Sequence, residues 1–283
     1  TFINPRVGGA PSGFSYFCSN VSMTIYLTTF TAFFSFFVTF LIGITMGSFL
    51  NCVAMRVLSG EPIARGRSHC MSCGHKLGAL DLVPLFSWLL LRGKCRYCES
   101  KISARYPLSE LVLGIAYVLI LAKYDLTLRT LELIVLCSIL LCVTLCDLDE
   151  HIIPDRFIVI GIVNRMLFIL LSGKIWDELK VSVIGAFSVS LPLLILSLIL
   201  DKILKKDTMG GGDIKLFFMA GMYFAWSVNI LVLLMSAIIG IIFGMLRKKN
   251  EEKQIPFGPA ISVGFFLGML VGSELVNLYV GLF

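Results

Sequence analysis

The sequence predicts an all-α polytopic membrane protein of about eight transmembrane helices, with a small extramembrane domain in the loop after the first helix. Three observations predict it. Hydrophobic residues make up 57% of the 283 residues and charged residues only 15%, where a soluble domain carries about 25% charged. The apolar residues come in runs rather than at amphipathic spacing, and a bilayer-spanning helix needs about 20 of them. One polar stretch is too long for a simple connector, and four of the nine cysteines lie in it as two CxxC pairs.

The predicted membrane segments are 26–53, 108–122, 131–146, 157–171, 181–200, 214–224, 228–245 and 259–276. The sixth is short enough to be a half-helix. No internal repeat is visible. Residues 1–22 are polar and rich in Gly, Pro and Ser, lack the basic region and cleavage site of a secretory signal, and precede Met23, a possible internal start. They read as a translated leader or an artificial remnant. The chain then divides into a first transmembrane helix (23–56), a loop domain (57–106) and a transmembrane core (107–283).

Orientation follows from the loops. If 56–106 is cytoplasmic, the same side receives 147–156, 201–215 and 247–253. That side holds eighteen Lys and Arg residues and the opposite side five. Such asymmetry is how basic loops set membrane orientation, and it places both termini outside. The net charge of +6 is thereby accounted for, and nucleic acid is not expected as a partner. Lipid is.

In the long loop, Cys70 and Cys73 are followed after 21 residues by Cys95 and Cys98. Two CxxC knuckles at this separation read as a tetrathiolate zinc site, since each turn points two sulfurs at one centre and four close a tetrahedron. Disulfides are rare in the cytoplasm, and free or redox-active thiols are the other alternative. A tetracysteine site has no open position, so the zinc would be structural, and in a loop with little core it would supply much of the folding energy. The apolar stretch 82–91, containing Trp88, is too short to span and should pack within this small cytoplasmic zinc-binding domain or lie on the membrane. His69 and His75 read as surface residues. Of the other cysteines, Cys52, Cys137, Cys142 and Cys146 lie in or beside apolar runs and should behave as small buried hydrophobes.

Acidic residues in or at the edge of spans are costly and mark function. Asp147 directly follows the run 131–146. Asp213 follows Gly210, Gly211 and Gly212 and opens the sixth segment. The three glycines would let a peptide backbone approach closely, and Lys215 beside them could meet substrate or snorkel to lipid phosphate. Asp149, Glu150 and Asp155 read as loop or capping carboxylates. Asp147 and Asp213 are 66 residues apart in sequence yet fall on one membrane border. Two close carboxylates cannot easily both ionise and share one proton. That is the arrangement with which an aspartic protease activates water and polarises a scissile carbonyl, the pair titrating as a unit.

With these residues in view, the chain resembles the type IV prepilin peptidases from about Gly47 to Gly268. Gly47-Ser48-Phe49-Leu50-Asn51 with Arg56, the two CxxC pairs, Asp147 with Ile153-Pro154-Asp155, Gly210-Gly211-Gly212-Asp213-Ile214-Lys215 and Ile255-Pro256-Phe257-Gly258-Pro259 occur in the family's order. The resemblance implies a multi-pass enzyme of the bacterial inner membrane that removes the short basic leader of prepilins and pseudopilins after a Gly, on the cytoplasmic side. It implies Asp147 and Asp213 as the catalytic pair. It also implies N-methylation of the new N-terminus with S-adenosylmethionine, although no glycine-rich methyl-donor fingerprint is present and the loop is too small for a Rossmann domain. The rival readings are a presenilin-like intramembrane aspartic protease, which lacks the tetracysteine loop, and a metal-responsive transporter, which should show repeat symmetry or broken helices in matching halves.

Overall fold

The protein is seen in a computed structural model that describes residues 29–62, 68–205, 209–246 and 256–282. The polar stretch 1–22 and Cys18 lie outside these residues. Nine α-helices run through the described chain. They are α1 (Thr29–Ser59), α2 (Phe86–Leu90), α3 (Arg105–Tyr124), α4 (Leu128–Glu150), α5 (Asp155–Leu171), α6 (Ile175–Leu204), α7 (Gly211–Gly221), α8 (Trp226–Leu246) and α9 (Gly258–Val280). Among the described residues no strand forms.

Each of the eight predicted segments is a helix, but six of them, α1, α3, α4, α6, α8 and α9, are long and apolar enough to cross a membrane. The other two are shorter: the 17 residues of α5 rise about 26 Å and the 11 of α7 about 16 Å.

Helix ends follow local chemistry. The hydroxyl of Thr127 accepts the N–H of Thr130 and caps α4, as N-cap threonines do. At its other end His151 turns left-handed (φ 55°) and closes its N–H on the Asp147 carbonyl at 3.1 Å. Pro154 then caps α5, with Asp155 in the first turn, where the helix dipole favours an anion. Helix α4 is the most buried of the six long helices. It packs against α1, α3, α5 and α9, and Leu133, Leu136, Val143 and Cys146 are wholly enclosed. Cys137 and Cys142 are buried with them.

Without a hydrophobic drive between helices in lipid, close backbone approach supplies much of the packing. The pair Gly43 and Gly47 permits it between α1 and α3. A Cβ at either would lie 2.7 Å from a Cα of α3, that of Gly114 or Glu110. Gly264, Gly268 and Gly272 make the same kind of stripe on α9, against Ser236, Val232 and Val228 of α8.

The short helix α7 creates a different demand. A helix leaves its last carbonyls without intrahelical partners, and inside a bilayer each must still be satisfied. Asn229 of α8 donates to the carbonyls of Gly221 (3.0 Å) and Phe224 (3.4 Å). Arg165 Nε of α5 donates to that of Met222 at 3.0 Å, and Arg129 of α4 to that of Tyr223 at 2.6 Å. The two arginines are neutralised in turn. Arg165 pairs with Glu132 and Glu178, each at 2.8 Å, and Arg129 pairs with Glu132 at 2.6 Å. Asn164, beside them, donates to the Tyr223 hydroxyl at 2.9 Å. Asn164 and Arg165 thus face protein, not lipid. The cations also complement the negative end of the α7 dipole.

Removing one partner from such a buried set strands the others. Arg165→Met should cost about 3–5 kcal/mol, read as a lower thermal midpoint of the detergent-solubilised protein. Arg165→Lys should recover only part of it, because an ammonium has no fork to engage both carboxylates. A midpoint unchanged by Arg165→Met would show that the network contributes nothing to stability.

Candidate active site and metal centre

Asp147 occupies the last turn of α4, 5% exposed. Its Oδ2 accepts the N–H of Gly258, the first residue of α9, at 2.8 Å. A Cβ at position 258 would stand 2.8 Å from that same oxygen, so a glycine is needed for the contact. Asp213 is half-buried in the first turn of α7. Gly211 and Gly212 are already helical, with Gly210 as cap. Gly212 lies against Ile153 of the α4–α5 connector, where a Cβ would be 3.1 Å from the Ile153 Cβ. This contact brings the start of α7 to the end of α4. The two carboxylates are near enough for the charge of Asp147 to act on Asp213. Gly210 and Gly211 are exposed beside them, and around Gly211 the space is open.

The flanking charges have partners. Lys215 pairs with Asp155 at 2.7 Å, both largely exposed. Asp149 pairs with Arg105 of α3, whose Nη2 also donates to the Leu145 carbonyl at 3.0 Å. Asn51 is buried between α1 and α3, donating to the Ser109 hydroxyl at 2.7 Å and the Gly47 carbonyl at 2.9 Å.

In the loop after α1, the sulfurs of Cys70, Cys73, Cys95 and Cys98 all lie within 4.8 Å of one another, with Cys70 and Cys98 at 3.9 Å. Four sulfurs bound tetrahedrally at about 2.3 Å from a zinc ion would stand about 3.8 Å apart. The two knuckles repeat one backbone pattern. The N–H of Cys70 donates to His75 and that of Gly74 back to Cys70; the N–H of Cys95 donates to Ser100 and that of Glu99 back to Cys95. Gly74 and Glu99 both have positive φ at the turn. Backbone N–H groups of Cys73 and Ser72 pull the Cys70 thiol down to about 6. Cys73 is pushed up to about 11, against the pull of the His75 N–H, by burial and its sulfur neighbours. Such a crowd resists full ionisation until a cation neutralises it, so the donor set fits zinc. Asp81 ties the domain together, accepting from Gly78 and Tyr97 and pairing with Arg96 at 2.8 Å. The Gly78 N–H, ahead of Arg96, holds its carboxyl below the usual range. His69 and His75 are exposed, as expected, with the His75 ring tilted against Tyr97. The stretch 82–91 contains α2 and exposes Leu82, Phe86, Leu89 and Leu90, a surface suited to a bilayer interface.

Sequence reasoning missed Glu110 and Glu132, both inside predicted spans and both buried. The signal was there, since an acid within a span is a candidate by default. The contact of Gly258 with Asp147 had no signal beyond a Pro-Phe-Gly-Pro turn.

Comparison with known proteins assigns the chain. Residues 41–124 match the bacterial peptidase A24 N-terminal domain, and residues 134–245 match the type IV leader peptidase family. The chain is 33% identical to a prepilin leader peptidase/N-methyltransferase of Aeromonas salmonicida over 273 residues, covering 86% of this chain and 93% of that one. It belongs to the type IV leader peptidase family. A relative of the same name from Pseudomonas putida is 30% identical over 83% of this chain and 90% of its own, and one from Bacillus subtilis 27% identical over 85% and 96%. No solved structure matches. The two family matches meet the fold at sensible places. The N-terminal one takes in the latter part of α1, the tetracysteine loop and α3, and the leader peptidase one runs from α4 into α8 and includes both aspartates.

If the four cysteines hold zinc, the purified protein should carry about one ion per chain. Cys70→Ser or Cys98→Ser should lower the content well below one, measured by elemental mass spectrometry. A folded loop free of metal would contradict the assignment.

Proposed function

We propose that the protein is a prepilin leader peptidase of the bacterial inner membrane that cleaves the basic leader after a Gly on the cytoplasmic face, using Asp147 and Asp213 as an aspartic dyad. What supports this reading is the contact of Gly212 with Ile153, which brings the helix ends bearing Asp213 and Asp147 together, at the end of the bundle that bears most of the basic loops. The family membership and the printed names of the relatives support the substrate class. In the mechanism, one carboxylate takes a proton from water as the water oxygen attacks the scissile carbonyl carbon. The protonated partner donates to the carbonyl oxygen. The first carboxylate then passes the proton it took from water to the leaving amine, and the partner recovers its own proton as the carbonyl re-forms. The Gly258 N–H orients one oxygen of Asp147 for this work. Exposed Gly210 and Gly211 leave room for an extended substrate backbone alongside Asp213. After cleavage, the new N-terminal amine is methylated with S-adenosylmethionine, the activity that the relatives' names include. Zinc would hold the tetracysteine loop in shape and take no part in either step.

Asp147→Asn and Asp213→Asn, each alone, should abolish leader removal from a synthetic prepilin with a Gly–Phe junction while the protein still inserts. Near-normal cleavage by either variant rejects the dyad. Gly258→Ala probes the positioning contact. Alanine is the better helix former, so the fold should persist. The added methyl must push the Asp147 carboxylate aside, and a displacement of that order costs about 100-fold in rate. A cleavage rate within a few-fold of the parent would show that the contact is dispensable.

A further inference from the structure

Beside the tetracysteine domain lies a cavity of about 640 Å³ between α1, the first turns of α3 and the loop around α2. Its size suits a small cofactor. Its lining includes Asn51, Leu85, Trp88 and Glu110 together with the cations Arg56 and Lys101, so an indole ring and a buried acid share the wall with basic side chains. Glu110 is 7% exposed. It accepts the Leu85 N–H at 2.8 Å and a hydrogen bond from Ser48. Leu85 adopts φ 61° and ψ −51°, an unfavourable conformation for leucine that aims its N–H at this carboxylate. Among the described residues no ion pair reaches Glu110, whereas Asp81, which also lines the cavity, is already paired with Arg96. A buried carboxylate held in place by neutral donors, facing a cavity and short of a cation, suits a cationic ligand.

We propose that this cavity binds the sulfonium methyl donor, S-adenosylmethionine, with Glu110 opposite its positive sulfur and Trp88 as the stacking surface for the adenine base. The inference rests on the methyl transfer included in the proposed function. The cavity is well placed for it. Ser103 and Tyr106 line its wall, and Arg105 between them pairs with Asp149, two residues beyond Asp147. The cleaved chain's new N-terminus therefore has a short way to travel. In the transfer, the lone pair of the neutral amine attacks the S-methyl carbon. The N–C bond forms as the C–S bond breaks, its electron pair stays on sulfur to give neutral S-adenosylhomocysteine, and the extra proton on nitrogen leaves to water.

The full-length protein in detergent supplies the test, with equilibrium binding of S-adenosylmethionine and of S-adenosylhomocysteine, which lacks the positive charge. Glu110→Gln should weaken S-adenosylmethionine by at least about 30-fold, the scale for losing one partner of a buried charge pair, and S-adenosylhomocysteine by under about threefold. Equal affinity of the variant and the parent for S-adenosylmethionine, or an equal loss for both ligands, overturns the role of Glu110. Photocrosslinking of radiolabelled S-adenosylmethionine to the unaltered protein decides the location even if the variant fails to fold. Label should map to residues 48–61 or 68–110, and label on α6, α7 or α8 overturns the site. A parent protein that methylates its cleaved product but is labelled elsewhere refutes this cavity alone. One that neither binds the donor nor adds a methyl group to the product refutes the methyltransferase reading as well.

Discussion

The last carbonyls of a helix must find partners outside it, and for the short α7, side chains of three other helices supply them. Arg129, Arg165 and Asn229 cover the carbonyls of residues 221–224, and Glu132 with Glu178 cancels the arginine charge. Were those groups missing, the end of α7 would be a run of bare acceptors in a medium that offers no hydrogen bonds. Because the far end of α7 is held from α4, α5 and α8 at once, its near end is held too. That near end carries Asp213.

The candidate active site is the counterpart at the other end of the same helices. Asp147 is the last buried residue of α4, and three chain segments converge on it and on Asp213. They are the α4–α5 connector through Ile153, the start of α7 through Gly212, and the start of α9 through Gly258. Each contact needs a small residue where a side chain would collide with its neighbour. The glycines therefore serve closeness of approach, and at Gly210 and Gly211 they leave the dyad open to a peptide.

The loop domain shows how a short polar segment acquires shape beside a membrane. Its apolar residues are mostly exposed, so it has little core of its own. Order comes from two backbone knuckles, the Asp81 hub and four converging sulfurs. Joined to α1 and α3, it encloses the cavity that holds Glu110. Cleavage and methyl transfer on this reading occupy adjacent parts of one surface, separated by the first turn of α3.

Much of this was legible without coordinates. Hydropathy alone located all eight helical segments, because apolar runs report burial in lipid directly. Cysteine spacing marked the metal set, because a CxxC turn is local geometry. Asp147 and Asp213 were marked by lying at the ends of apolar runs. Among those eight, α5 and α7 are regular helices but the shortest. What only the tertiary structure decided is which residues meet: Gly258 with Asp147, Ile153 with Gly212, Arg165 with Glu132 and Glu178, and Glu110 with the Leu85 N–H. All but one of these pairs are separated by more than 20 residues along the chain, the exception being Arg165 with Glu178. The reason is physical. A sequence records the preferences of each segment, whereas the distance between segments is set by how their faces pack once the chain has folded back on itself.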